Sequence, residues 1–73
     1  MPRIKGWIKT GNLHYRKEYT NRNKKSFVVV ILGEPKRVQY LDKPHHVAFE
    51  RQFKTREEAI KFAINWMKKH PEG

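Results

Sequence analysis

The sequence has 73 residues, no cysteine and a net charge of +10, from 17 Lys+Arg against 7 Asp+Glu. This length predicts one small domain, 1–73, and the lack of cysteine excludes disulfide bonds and thiolate metal sites. The apolar runs are too short to span a bilayer and the first residues lack the apolar segment of a signal peptide, so we expect a cytoplasmic protein without membrane contact.

Two strands and a basic loop are predicted in the first part of the chain. Residues 4–9 alternate in hydropathy, which predicts a first strand. Its two faces would carry Ile4, Gly6 and Ile8 and, opposite them, Lys5, Trp7 and Lys9. After a turn signal at 10–12, residues 13–19 predict a second strand. Residues 20–25, TNRNKK, contain no apolar side chain and predict a loop whose asparagines tolerate left-handed backbone.

Three further strands are predicted in the middle of the chain. The run FVVVIL at 27–32 is apolar on both faces, which indicates a central strand. A tight turn then leads to a short strand, 37–41. Pro44 interrupts the pattern before the last strand, 47–53. The residues of that strand expected to face the core are Val47, Phe49 and Phe53.

Residues 54–70 predict one amphipathic helix. Thr55 and Glu58 have the spacing of a capping box, in which the hydroxyl accepts a hydrogen bond from the backbone N–H three residues later. Apolar residues recur at three- and four-residue spacing, and Ile60 and Ile64 widen this stripe, so the helix must pack on a sheet. The elements together predict an α+β fold: an antiparallel β-meander of three to five strands with one C-terminal helix packed on one face.

The end of the chain, FERQFKTREEA at 49–59 followed by Trp66, resembles the N-terminal DNA-binding domains of tyrosine-recombinase integrases. Those domains close with an aromatic strand, a Thr-x-x-Glu-Ala helix start and a helical Trp. Their fold is a three-stranded antiparallel sheet backed by a C-terminal helix, and the sheet enters the major groove of DNA. The resemblance implies that strands within 15–53 form this sheet and that its open face, with Arg16 and Arg37, contacts DNA. The recombinase core has no counterpart here, so only binding carries over.

The positive charge is concentrated in the first third of the sequence. Residues 1–26 contain eight Lys/Arg and one Glu, a net charge of +7, whereas residues 27–73 contribute +3. A strong field on one part of a small protein favours a polyanionic partner, with nucleic acid as the first choice. The alternative is that the charge only keeps the protein soluble.

Two clusters in this basic third are candidates for nucleic-acid contact. In Lys5-x-Trp7-x-Lys9 an indole lies between two ammonium groups, which suits base stacking and phosphate binding, unless Trp7 caps the core. The second cluster flanks loop 20–25, where arginines can bind phosphates or a guanine edge, unless the loop is only a solvated hairpin end. The predicted nucleic-acid-binding residues are Lys5, Trp7, Lys9, His14, Tyr15, Arg16, Lys17, Arg22, Lys24, Lys25 and Arg37.

The histidines invite a metal or acid–base interpretation, which the sequence does not favour. Adjacent histidines such as His45 and His46 point apart on a strand or loop, and no cysteine or acidic pair completes a tetrahedral set. We therefore predict no catalytic residue, no metal ligand and no cofactor. An endoribonuclease that uses His45 or His46 is retained only as a third alternative.

These observations favour a non-enzymatic protein that binds double-stranded DNA through a basic sheet face and loop, with no small-molecule substrate. It would be a monomer or weak homodimer associated with the nucleoid or the ribosome. One alternative is a protein that binds structured RNA, including a place on the ribosome. The other is an interaction module for an acidic protein partner.

Overall fold

The computed structural model describes residues 4–73, which form one five-stranded antiparallel sheet and one helix. The strands lie side by side in chain order, so each pairs with the next. They are β1 (Trp7–Asn12), β2 (Arg16–Asn21), β3 (Phe27–Ile31), β4 (Lys36–Lys43) and β5 (His46–Phe53), followed by the helix α1 (Arg56–Lys69). The predicted α+β meander with a C-terminal helix is confirmed, with five strands.

The helix begins at the predicted cap. The Thr55 hydroxyl accepts a hydrogen bond from the Glu58 backbone N–H at 3.2 Å and lies 3.3 Å from the Glu58 carboxylate. Glu57 and Glu58 occupy the first turn and Lys68 and Lys69 the last, where the helix dipole stabilises each sign of charge. Because Thr55 is the cap itself, the helix starts two residues later than predicted.

Small residues on α1 let the helix lie close to the sheet. Ala59, Ala63 and Met67 are fully buried against valines of β3 and β4. On the same side, Trp66 packs with its ring centroid 4.4 Å from that of Tyr40 and 5.8 Å from that of Phe49. The main contacts of the helix are with β3, β4 and β5, so the helix-facing side of β1 and β2 lies beside α1 rather than beneath it.

The predicted first strand is present, but its predicted bounds were wrong. The Trp7 backbone N–H donates to Ile4 O at 3.0 Å, so residues 4–6 form a turn and the strand starts only at Trp7. This turn brings Ile4 and Trp7 to the same side, in the core, and leaves Ile8 59% exposed. A two-residue alternation cannot continue through a turn, which is why Ile4 and Trp7 share one side although they were predicted on opposite faces.

The bounds of three strands differ from the predictions. β2 spans Arg16–Asn21 rather than 13–19, so Thr20 and Asn21 belong to the strand and not to the loop. The bounds of β1 and β4 differ where their pairing is irregular. β1 runs on to Asn12, with a register shift between Lys9 and Gly11, so the turn lies after the predicted 10–12. β4 continues through Lys43, and its pairing with β5 shifts register on both sides of Leu41, close to the hairpin that joins the two strands.

Each shift turns side chains to the other face. Phe53 packs against the core and Phe49 against the ring of Trp66, as predicted. Val47, on the other side of the register shift, is 46% exposed, which was not predicted.

Candidate nucleic-acid interface

Most of the predicted binding residues are divided among three different parts of the molecule, and His14 and Tyr15 lie in none of these parts. The two groups of residues that were predicted to flank one loop lie at opposite ends of β2. His14 and Tyr15 precede this strand, and Arg22, Lys24 and Lys25 follow it. Six extended residues span about 20 Å, so the two groups cannot form one prong as the sequence suggested. Trp7 is only 6% exposed and is a core residue, so it is not available for base stacking.

The first part is the open sheet face, the side of the sheet that faces away from α1. Val28 and Val30 face the core, so the alternate residue Val29 faces the opposite way, in register with Glu18 and Gln39. Val29 is nevertheless 5% exposed, because the neighbouring long side chains flank it. This face therefore has an apolar centre surrounded by polar side chains.

The arginines of the open sheet face are paired with acids. Arg16 lies 3.2 Å from the Glu18 carboxylate, and Arg37 lies 3.4 Å from that of Glu50, which also accepts from Gln39 at 2.7 Å. Two positive and two negative charges offset each other there. The face that the resemblance implies for DNA contact is thus not the most positive surface of the protein.

The second part is the basic corner, made by Lys5 of the N-terminal turn and by Arg22, Lys24 and Lys25 of the loop between β2 and β3. All four side chains are exposed. The Asn23 side-chain oxygen accepts hydrogen bonds from the backbone N–H of Lys25 at 2.7 Å and of Ser26 at 3.1 Å. These bonds fix the loop backbone, so the positions from which the Lys and Arg side chains extend are fixed as well.

The chain ends also hold this corner in place. The side-chain amides of Asn21 and Asn23 donate to the backbone oxygens of Pro71 at 3.1 Å and of Glu72 at 3.0 Å. The Arg22 backbone N–H donates to Gly6 O at 2.8 Å. The N-terminal turn, the loop and Pro71–Glu72 therefore meet at one place, where Glu72 adds an acidic residue near Lys5 and Arg22.

The third part is the helix-side groove, an open groove of about 810 Å³ between α1 and the strands β1 and β2. It exists because α1 covers β3 to β5 and leaves the adjacent sheet surface beside it. Lys9 lies over the Tyr19 ring, with its ammonium 5.5 Å from the ring centroid, and burial raises the pKa of Tyr19. The residues that line the groove are Ile4, Lys5, Gly6, Trp7, Ile8, Lys9, Lys17, Tyr19, Arg22, Ile60 and Ile64.

Three of the four histidines, His14, His46 and His70, lie within hydrogen-bond distance of another residue. His46 Nδ1 lies 2.7 Å from Asp42 Oδ1, and this hydrogen bond is the main reason why the pKa of Asp42 is lowered. His70 Nδ1 lies 2.8 Å from Trp66 O. Within residues 4–73 no three His, Cys, Asp or Glu side chains come together as metal ligands would. No helix in that range has the length and apolarity needed to cross a bilayer.

The sequence analysis did not predict the roles of two kinds of residue. Asn21 and Asn23 were read as residues for left-handed backbone, but Lys24 has the positive φ of 62° and the asparagines act through their side chains. The Asn-x-Asn spacing is a signal for such turns. Ile60 and Ile64 were predicted to widen the apolar stripe of the helix, with a minor share in dimer contact, and in the structure they line the groove. Comparison with protein-family models, curated proteins and solved structures finds no match to this chain.

Proposed function

We propose that this protein binds nucleic acid without catalysing a reaction, with duplex DNA as the ligand. The observation that carries the proposal is the basic corner. Three exposed cations, Arg22, Lys24 and Lys25, lie on a loop whose backbone is fixed by side-chain hydrogen bonds, and the exposed Lys5 lies near Arg22. Because the loop backbone is already fixed, phosphate binding by these cations requires little further ordering of the backbone. The conformational entropy cost therefore offsets little of the electrostatic free energy of binding.

Phosphate binding accounts for this arrangement better than base reading does. Lysine ammonium groups act on phosphates as point charges, and Arg22 adds a fork that can bind two phosphate oxygens. The arginines of the open sheet face, Arg16 and Arg37, already lie beside carboxylates and would have to leave them to contact bases. We therefore assign the main DNA contact to the basic corner and a secondary one to the open sheet face.

The first test is fluorescence anisotropy with a short labelled duplex, measured over a range of salt concentrations. The variant Arg22→Ala/Lys24→Ala/Lys25→Ala removes three charges from the basic corner. Each lost phosphate contact reduces the slope of log affinity against log salt by about 0.9, so we expect a reduction of about 2.7 and a loss of affinity of roughly tenfold or more.

A matched control removes the same charge elsewhere. Lys54→Ala/Lys61→Ala/Lys68→Ala changes three exposed residues before and on α1, and it should leave the slope nearly unchanged. Equal losses in both variants would show that only the overall charge matters. A larger loss in Arg16→Ala/Arg37→Ala would instead identify the open sheet face as the interface. Tighter binding to a matched RNA duplex would assign the protein to RNA.

A further inference from the structure

The helix-side groove has an aliphatic floor. Ile60 and Ile64 lie one turn apart on α1 and are only half-buried, and Ile4 lies beside them in the N-terminal turn. The groove volume of about 810 Å³ lies in the range of about 300–1,000 Å³ that is typical of ligand sites. When a second apolar surface covers half-buried isoleucines in such a groove, the burial stabilises the complex.

The rim of the groove is positively charged. Lys5, Lys9, Lys17 and Arg22 line it, and no Asp or Glu is among its lining residues in the described part of the chain. The Lys17 ammonium donates to Asn12 Oδ1 at 2.8 Å, which holds this side chain at the rim. An occupant must therefore present apolar groups to the floor and negative charges to the rim.

Nucleic acid does not have this combination of surfaces. A duplex exposes its phosphates and has no apolar face to cover the isoleucines. A single strand binds mainly by stacking its bases on aromatic faces. Here Trp7 is 6% exposed, and the Tyr19 ring already has the Lys9 ammonium 5.5 Å from its centroid. Neither ring offers an open face of the kind that base stacking needs.

We infer that the helix-side groove is a docking site for an acidic, amphipathic helical segment of a partner protein. Such a helix places apolar side chains at i, i+3, i+4 and i+7 on the floor, as in known helix-in-groove complexes, and its acidic flanks face the lysines. Because Lys5 and Arg22 border both the groove and the basic corner, the segment competes with DNA for these two cations. The direct peptide test does not depend on DNA binding.

The test uses two labelled synthetic peptides of identical Glu and Leu composition. In one peptide the leucines lie on one helical face, and in the other they are scrambled so that no apolar face forms. We expect the amphipathic peptide to bind roughly tenfold tighter or better, a difference of about 1.4 kcal/mol or more. It should also displace labelled duplex DNA. Equal affinity of the two peptides would overturn the inference, because charge alone would then explain binding.

Variants separate the floor from the rim. Ile60→Ser/Ile64→Ser should abolish the preference for the amphipathic peptide, whereas Leu13→Ser/Val47→Ser, at two exposed apolar residues outside the groove, should not. Circular dichroism checks that the variants fold. The rim is tested by Lys9→Glu/Lys17→Glu, which should weaken peptide binding. Its control is Lys61→Glu/Lys68→Glu, which makes the same charge change outside the groove. Unchanged peptide binding in the folded floor or rim variants contradicts the inference. Loss of oligothymidylate binding in the floor variant would identify single-stranded nucleic acid as the occupant instead.

Discussion

The backbone of Gly6 lies against the backbone of Pro71, near the other end of the chain. Its φ is +86°, a conformation that side chains rarely adopt. A Cβ atom built at this residue would lie 1.9 Å from Pro71 O, which is backbone and cannot swing aside. Gly6 O also accepts from the Arg22 N–H at 2.8 Å. Only glycine allows the N-terminal turn, the basic loop and the C-terminal residues to meet here.

We therefore predict that Gly6→Ala lowers the free energy of unfolding by roughly 2 kcal/mol or more, since it adds both left-handed strain and a backbone clash. Urea denaturation followed by circular dichroism measures this. Gly33→Ala is the matched control, because a Cβ there meets no heavy atom within 4 Å. A loss for Gly6→Ala no larger than that for Gly33→Ala would mean that the contact with Pro71 is not formed in solution.

The loop between β2 and β3 is organised by its asparagines, although its exposed residues are mainly basic. Asn21 is 2% exposed, and its side-chain oxygen accepts from the Asn23 N–H at 3.0 Å. The Asn23 side chain in turn bonds to Lys25, Ser26 and Glu72. This element shows how polar side chains position charged ones without changing the charge of the surface.

Asn23→Ala should therefore weaken DNA binding although it leaves the net charge unchanged. We expect a loss of stability of about 1–3 kcal/mol from the unpaired backbone groups, and reduced affinity because the loop cations must then be ordered on binding. Anisotropy and denaturation measure the two effects. Asn65→Ala, at an exposed position of α1, is the control. Full affinity in a folded Asn23→Ala protein would show that binding does not require a fixed loop.

At the scale of the whole molecule, a net charge of +10 is held within 30 × 27 × 21 Å. The paired charges of the open sheet face offset each other, so the excess lies elsewhere, including the basic corner and the groove rim. At low salt the Debye length of about 30 Å equals the size of the protein, so its cations repel one another across the entire fold. The same charges that favour a polyanionic ligand thus oppose folding.

We predict that salt moves stability and DNA affinity in opposite directions. Between about 0.01 M and about 0.15 M salt the Debye length falls from about 30 Å to about 8 Å, so the melting temperature should rise while affinity falls. Thermal denaturation and anisotropy at both concentrations test this. The Lys54→Ala/Lys61→Ala/Lys68→Ala variant should gain less stability from salt. A melting temperature that falls with added salt would mean that attractive ion pairs outweigh the repulsion.

Local patterns in the sequence were sufficient for the elements whose causes are local. The N-cap at Thr55 and the central strand around Val29 are confirmed, because hydrogen-bonding and hydropathy patterns there involve near neighbours. The ends of β1 and β4 were misplaced, because their register shifts depend on pairing with another strand. The DNA-binding role itself remains a prediction.

The sequence by itself determined the α+β class, the position of the helix and the excess of positive charge, which depend on composition and short-range spacing. Only the tertiary structure decided which cations share a surface. Arg16 is paired with Glu18, whereas Lys5 and Arg22 come together through a turn and a loop. The burial of Trp7 was decided in the same way. The physical reason is that these arrangements depend on how distant segments pack, and spacing along the chain does not specify that.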